Sequence, residues 1–186
     1  HVISYNNDGT VESKQTFQGK NDDSSWARGQ AWAIYGYTAC FRETNDSIFL
    51  NFAKDIADMI MDRVKTEDAI PYWDYDAPVT KETPRDVSAA SVTASAMIEL
   101  STMVPDGQKY LDYAEKILKS LSNDAYLAKV GDNQGFILMH SVRSLPNGSE
   151  IDTPLNYADY YYLEALKRFM ELKKLRVENG ELRVIQ

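Results

Sequence analysis

Two segments of this chain carry the same helical pattern at a fixed offset. Residues 49–56 read FLNFAKDI and residues 110–117 read YLDYAEKI, 61 positions further on. Each segment follows a stretch rich in small residues and a short turn, so each is predicted to be the second helix of a helical hairpin. Consecutive hairpins of one design are typical of an α/α solenoid or toroid, in which one helix of each pair lines the centre and the other packs outside.

An arc of two or three such hairpins does not close into a ring. The cut sides of an open arc expose apolar surface, which another part of a protein normally covers. We therefore expect an all-α fold that is incomplete. The start at His1, without a methionine, fits a fragment or a processed product.

Apolar spacing and capping residues predict five helices. The first covers residues 25–43, and Asp46 begins the second. Asp86 is the predicted N-cap of a third helix that is rich in alanine. Gln108–Leu121 forms the fourth and Tyr157–Leu172 the last.

The remaining segments are less regular. Residues 1–23 are polar and contain the turn sequence NNDG, which predicts a turn or a short hairpin. Phe136–Met139 is a short apolar segment whose type the pattern leaves open. We expect residues 1–175 to form one half of a barrel domain and residues 176–186 to be a tail that pairs as a strand or frays.

Composition narrows the class of protein. A chain of 186 residues suffices for one domain with one core, and its net charge of −8 offers no basic patch for nucleic acid. No apolar run of 18 residues is present, so no transmembrane helix is predicted. We expect a soluble bacterial protein of the periplasm or the cytoplasm. The single cysteine, Cys40, falls on an apolar helical stripe and is predicted to be buried.

The start of the first predicted helix places the cation of Arg28 and the indole ring of Trp32 on one face. Arg28 and Trp32 are four residues apart, so they are neighbours on the helix surface. The opposite stripe, which is apolar, is predicted to be the buried back of this helix. That stripe consists of Trp26, Ala33, Tyr37 and Cys40.

Arg28 occupies an unfavourable position if Ser24 or Ser25 is the N-cap. It then lies in the first turn, where the helix dipole disfavours a cation, and an anion should compensate it. Two partners remain open at this point. One is a structural ion pair with Asp22 or Asp23, and the other is an anionic sugar.

Further polar and aromatic residues are compatible with sugar binding. Thr16 and Gln18 can form hydrogen bonds with hydroxyl groups, while Trp73, Asp74 and Asp76 form either a sugar-binding loop or a loop that caps the next helix. No pair of carboxylates stands out as an acid and base for glycoside hydrolysis. With two histidines, a histidine-rich metal site is not expected, and no cofactor motif is found.

Several motifs together resemble glycoside hydrolase family 88, the unsaturated glucuronyl hydrolases. The matching segments follow one another in order from His1 to about Leu175. They are QG at 18–19, DDSSWARGQAW at 22–32, PYWD at 71–74, PRD at 84–86 and DYYYLEAL at 159–166. The resemblance implies an (α/α)6 barrel of the six-hairpin type. It also implies that this chain is the C-terminal half and that its partner is the N-terminal half of the same barrel.

The resemblance further implies an activity. Members of this family act on glycosaminoglycan-like oligosaccharides that carry a 4,5-unsaturated uronic acid at the non-reducing end. An aspartate protonates C4 of the double bond and activates water to add at C5, without a metal or a cofactor. The family's two essential aspartates lie upstream of the matched region. No catalytic residue is therefore expected in this chain, which alone should be inactive.

Substrate-binding positions are also carried over from the resemblance. Family members often have glycine where Arg143 stands, so the loop that contains it is expected to differ in shape and in subsite preference. Two readings compete with the family 88 enzyme: a non-catalytic carbohydrate-binding or structural α/α module, and an unsaturated rhamnogalacturonyl hydrolase. The predicted binding residues are His1, Thr16, Gln18, Arg28, Trp32, Ser141 and Ser144.

Overall fold

The computed structural model describes residues 2–178, with side chains as far as residue 175. His1 and residues 179–186, with most of the predicted tail, lie outside this description. Within residues 2–178 the fold consists of five α-helices, two small antiparallel hairpins and a short 3-10 helix at Asn133–Gly135. In chain order the elements are β1 Val2–Tyr5, β2 Val11–Gln15, α1 Ala27–Thr44, α2 Ser47–Arg63, α3 Val87–Ser101, α4 Gln108–Leu121, β3 Ser141–Ser144, β4 Ser149–Thr153 and α5 Asn156–Glu178.

The helices form two layers. The helices α1, α3 and α5 lie side by side with α3 in the middle, while α2 packs on α1 and α4 packs on α3. The two repeated segments are therefore the equivalent second helices of two hairpins, as the sequence predicts. All of α3 except Glu99 is buried. Its small side chains, such as Ala90 and Ala94, let three neighbouring helices approach closely.

Most helix boundaries follow the predicted caps. The Asp46 side chain accepts a hydrogen bond from the Ile48 amide at 3.0 Å. The Asp86 side chain accepts one from the Ser88 amide at 3.1 Å. The bounds of α4 are those predicted, and α5 continues to Glu178.

The predicted cap of α1 is wrong. The N-cap residue is Trp26, and its side chain makes no capping hydrogen bond. Ser24 instead donates to Asp74, and the Ser25 amide donates to Asp76, so these serines attach the preceding loop to another segment. A long-range contact has replaced the local cap.

The predicted back face of α1 is confirmed only in part, because Tyr37 packs against the core but most of the buried stripe lies elsewhere. The helix packs on its neighbours through Ala27, Ala31, Ile34 and Thr38, a stripe rotated away from the predicted one. Cys40 is exposed rather than buried. The sequence predicts the helix itself, because the helical period is local. Which face of α1 is buried depends on where α2 and α3 pack against it.

Two hairpins add β structure to the helical fold. The predicted turn at residues 6–9 joins β1 to β2, and Gly9 adopts φ +86° there. The hairpin β3–β4 was not predicted. Within residues 2–178 no helix has the length and hydrophobicity needed to span a membrane.

Candidate functional site

A buried aspartate organises the loop that precedes α1. Asp74 is fully buried, and its Oδ2 atom accepts hydrogen bonds from the Lys20 amide at 2.9 Å and the Ser24 hydroxyl at 2.8 Å. Its Oδ1 atom accepts the Asp76 amide at 2.9 Å. These donors compensate the burial of a carboxylate. Asp74 therefore holds the loop before α1, and the reading in which it caps the next helix is wrong, because the N-cap of α3 is Asp86.

Thr16 closes a tight turn in the same loop. Its hydroxyl oxygen accepts the Gly19 amide at 2.8 Å, and its own amide donates to Asp22 at 2.7 Å. A Cβ atom at Gly19 would lie 2.6 Å from the Thr16 hydroxyl oxygen, so the turn requires glycine. The turn brings Thr16 and Gln18 to the edge of a cleft.

Arg28 is buried and holds three segments of the chain together. Its side chain is 3% exposed, and its Nη1 atom lies 2.9 Å from Asp86 Oδ2. The same nitrogen also donates to the Val142 carbonyl, and Nη2 donates to the Arg143 carbonyl at 2.6 Å. Of the two partners left open for Arg28, the structural ion pair is the one observed, but its anion is neither Asp22 nor Asp23. The compensating anion is Asp86, 58 residues further along the chain.

Burial and a neighbouring positive charge have opposite effects on the carboxyl group of Asp86. Its carboxylate is fully buried and accepts hydrogen bonds from the amide and the hydroxyl of Ser88. Burial raises the pKa of the Asp86 carboxyl, while the Arg28 guanidinium acts in the opposite direction. Because Asp86 also caps α3, this ion pair joins the start of α1 to the start of α3.

Aromatic rings surround the Arg28 guanidinium and Trp32. The guanidinium carbon lies 4.7 Å from the Trp26 ring centroid and 5.2 Å from that of Tyr157. The half-buried Trp32 ring meets Tyr161 edge to face, with centroids 5.1 Å apart. Tyr157 and Tyr161 therefore belong to this surface, although no site role was predicted for either residue.

Gln18 and Arg28 meet at one acceptor. The Gln18 side-chain amide donates to the Arg143 carbonyl at 2.8 Å, the same oxygen that Arg28 binds. Beside Gln18 lies a cleft of ≈490 Å³ between the first hairpin and α1. Trp26 and Ala33, which the sequence assigned to a buried back face, line this cleft.

The strand β3 places its two serines inward. Ser141 is fully buried and Ser144 is 5% exposed, whereas the Arg143 side chain between them is exposed. Arg143 pairs with Glu150 at 3.0 Å. The contact of Ser141 and Ser144 with a substrate stays a prediction, as does that of His1, which lies outside the described residues.

Three residues in or next to this hairpin have left-handed backbone. His140, Glu150 and Asp152 have φ values of +67°, +48° and +55°. Strain of this kind in residues other than glycine is concentrated at functional sites. The His140 Nδ1 atom lies 2.6 Å from Asp152 Oδ1, which joins the two strands where the hairpin leaves the fold.

Asp159 supports the segment that leads into β3. From the first turn of α5, its carboxylate accepts the Ile137 amide at 2.8 Å and the Leu138 amide at 2.9 Å. An acidic residue in a first helical turn usually caps its own helix. Here it binds a different segment, and the sequence contained no signal for that contact.

The described part of the chain offers no group of three or more metal-ligating side chains. The site is instead a set of polar and aromatic side chains at the N-terminal ends of α1, α3 and α5. Such a surface can bind and orient a ligand through hydrogen bonds and ring stacking.

The helical framework matches a known family model. The model of glycosyl hydrolase family 47 matches residues 29–174, from the first turn of α1 to the later part of α5. This match places the chain among the glycosyl hydrolases. It begins after the loop of Thr16 and Gln18 and just after Arg28, so it does not include that part of the site.

A comparison with curated proteins does include those residues. The unsaturated glucuronyl hydrolase of Formosa agariphila is 45% identical over 174 residues, which cover 92% of this chain and 43% of that protein. The chain belongs to the unsaturated glucuronyl hydrolases. The family resemblance seen in the sequence is thus confirmed. The family 47 match covers the helical framework, whereas the comparison with the Formosa protein covers 92% of the chain.

Solved structures of unsaturated glucuronyl hydrolases share the fold. One that is specific for heparin is 57% identical, with a TM-score of 0.90, over 94% of this chain and 47% of that chain. A variant from Streptococcus agalactiae, complexed with dGlcA-GalNAc6S, is 32% identical with a TM-score of 0.79, over 91% and 46%. The chain therefore spans less than half the length of these relatives. Its two helical hairpins and α5 correspond to part of the (α/α)6 barrel of these enzymes.

Proposed function

We propose that the complete protein containing this chain removes 4,5-unsaturated uronic acid from the non-reducing end of lyase-generated oligosaccharides. The observation that carries this proposal is the 57% identity to the heparin-specific unsaturated glucuronyl hydrolase. That similarity extends over 94% of the chain, which includes the loop of Thr16 and Gln18, the start of α1 and the β3–β4 hairpin.

The proposed chemistry is hydration of a vinyl ether. An aspartate outside this chain donates a proton to C4 of the double bond and takes one from the water that adds its oxygen to C5. The resulting hemiketal opens, which releases the remaining sugar. The step uses one water and needs no oxidant or metal.

In this reaction the chain supplies binding and orientation. Trp32 provides a ring that can stack on the apolar face of a sugar. The side-chain oxygen of Gln18 and the Thr16 region offer hydrogen bonds at the cleft. Arg28 acts from inside the protein, because its guanidinium anchors Asp86 and the backbone of β3.

Exposed apolar side chains on α5 and on α2 favour the proposal that another half of the barrel lies outside this chain. On α5, Tyr160, Leu163 and Met170 are 59%, 51% and 69% exposed along one face. At the opposite end of the arc, Ile48 and Phe52 of α2 are 52% and 47% exposed. We propose that residues 1–175 are one half of a catalytic domain whose N-terminal half covers both flanks.

A substrate panel tests the proposed activity. The complete protein is incubated with unsaturated disaccharides from heparin, chondroitin, hyaluronan and rhamnogalacturonan, and the ultraviolet absorbance of the double bond is followed. Loss of absorbance is expected with at least one of the three glycosaminoglycan products, because hydration removes the conjugated bond.

Constant absorbance on every glycosaminoglycan product would contradict the proposal. Binding of these disaccharides without turnover would support a carbohydrate-binding module instead. Turnover confined to unsaturated rhamnogalacturonan products would move the protein to the rhamnogalacturonyl hydrolases.

A further inference from the structure

Tyr157 lies between the two side chains that the sequence predicts to bind the substrate. It is the second residue of α5 and is half-buried. Its ring centroid lies 5.2 Å from the Arg28 guanidinium carbon and 6.5 Å from the Trp32 ring centroid. A single side chain from a different helix therefore touches both.

The Arg28 guanidinium is restrained by polar partners and by two aromatic rings. Asp86 and the carbonyls of Val142 and Arg143 hold its edge. Trp26 covers one region of the group at 4.7 Å, and Tyr157 adds a second ring. Aromatic rings over a guanidinium contribute cation–π and stacking energy, which is larger where water is excluded.

The Trp32 ring is oriented by the same face of α5. Tyr157 meets it at a tilt of 54°, and Tyr161 meets it at 73°. The two tyrosines are four residues apart, so they project from the same side of the helix. Together they limit how the indole can rotate.

We propose that Tyr157 is a positioning residue for the sugar subsite. Its ring fixes the Arg28 guanidinium and the Trp32 indole relative to each other, so that α5 sets the geometry of the stacking plate. This inference rests on the proposed function. Because both contacts are made by the ring, phenylalanine at this position retains them.

The chain offers a matched control in Tyr72. Its ring lies under the Arg85 guanidinium at 4.6 Å, and Arg85 pairs with Asp68 at 3.2 Å. This is the same combination of tyrosine, arginine and aspartate as at Tyr157, but it contacts neither Arg28 nor Trp32. Tyr72→Leu therefore removes an arginine-stacking tyrosine without changing the subsite.

The test uses the complete protein with Tyr157→Leu, Tyr157→Phe and Tyr72→Leu, on an unsaturated heparin disaccharide. Tyr157→Leu is expected to raise KM about tenfold with a smaller change in kcat, because the binding surface is misaligned. Tyr157→Phe and Tyr72→Leu should stay within about twofold of wild type, since the ring contacts at the subsite remain. A KM within twofold in Tyr157→Leu would overturn the inference, as would Tyr157→Phe being equally impaired.

A second readout separates this inference from the proposed function. The side-chain N–H resonance of Arg28 is shifted by the ring current of Tyr157, so it should move in Tyr157→Leu and stay in place in Tyr72→Leu. If wild-type protein leaves every disaccharide unchanged, the proposed function fails, yet this resonance still reports on the contact. An unmoved Arg28 resonance in Tyr157→Leu would overturn the positioning role.

Discussion

Arg28 is the cation that the sequence predicts as a substrate contact and that the structure holds almost wholly inside the protein. Its partners are Asp86 and the backbone of β3, so its removal leaves a buried carboxylate without a counter-charge. The two roles differ in what a substitution changes. Loss of a substrate contact changes the kinetic constants and leaves the free energy of unfolding nearly unchanged, whereas loss of an internal anchor lowers the free energy of unfolding.

Arg28→Ala is expected to destabilise the complete protein by about 3–5 kcal/mol, the usual result of breaking one side of a buried ion pair. Arg28→Lys should recover little, because one ammonium group cannot bond all these acceptors. Arg42→Ala is the control, since Arg42 is 47% exposed. Chemical unfolding measures all three. A change below about 1 kcal/mol in Arg28→Ala, the range of surface pairs, would contradict the anchoring role.

Asp68 provides a residue with a defined pH dependence. Burial acts to raise the pKa of this carboxyl, but the hydrogen bonds from the Tyr126 hydroxyl and the Ile70 amide and the charge of Arg85 hold it below the usual value. A folded pKa below the unfolded one stabilises the fold above about pH 4. That contribution is lost as the pH falls through the folded pKa.

Asp68→Asn should therefore lower Tm at pH 7 and have a much smaller effect near pH 2, where the wild-type carboxyl is also protonated. The measurement is thermal unfolding of both proteins across this range, with the exposed Asp124→Asn as the control. An Asp68→Asn difference that is equal at both ends of the range would refute the ionic contribution.

At the scale of elements, three aspartates each attach one segment of the site to a helix start. Asp74 holds the loop before α1, Asp86 holds Arg28 and β3, and Asp159 holds the segment at Ile137 and Leu138. The site surface therefore depends on carboxylates that do not reach the cleft. Substitution of one of them should disturb its own segment first.

Asp159→Asn keeps one acceptor oxygen and loses the charge. Amide hydrogen exchange at Ile137 and Leu138 should speed up by roughly tenfold or more, because hydrogen bonds to a charged group contribute about 1.5–3 kcal/mol. Asp132→Asn, an exposed carboxylate nearby, is the control. Unchanged exchange at both amides in Asp159→Asn would show that the backbone is held by other contacts.

The helices could be predicted because their signals are local. The apolar stripe of α4 and the caps Asp46 and Asp86 are readable within one or two turns of chain. The ion-pair partner of Arg28 could not be predicted from local signals, because Asp86 lies 58 residues away along the chain. Asp22 and Asp23 are closer in sequence and were therefore the candidates. The exposed position of Cys40 was missed for the same reason, because packing between helices sets it.

The β3–β4 hairpin shows a second limit. Ser141, Val142 and Ser144 are buried while Arg143 is exposed, and the register shifts between Ser141 and Val142. A bulge breaks the strict alternation by which a strand is recognised in a sequence. The family resemblance located this segment as part of the site, and the structure supplied its conformation.

At the scale of the whole molecule, the chain is an arc with a polar and aromatic site at one end of its helices. Exposed apolar side chains are found on both flanks of the arc, at Leu163 and Met170 on one side and Phe52 on the other. Because the relatives are about twice as long as this chain, we propose that the other half of the barrel covers these exposed side chains. In that account, one half of the barrel binds the sugar and the other half donates the proton.

The most direct test of this central claim compares the complete protein with this chain alone on an unsaturated heparin disaccharide. The ultraviolet absorbance of the double bond is followed at equal protein concentration. The complete protein should abolish the absorbance, whereas this chain alone should leave it unchanged. Equal rates from the two would contradict the claim, because the proton donor would then lie within these 186 residues.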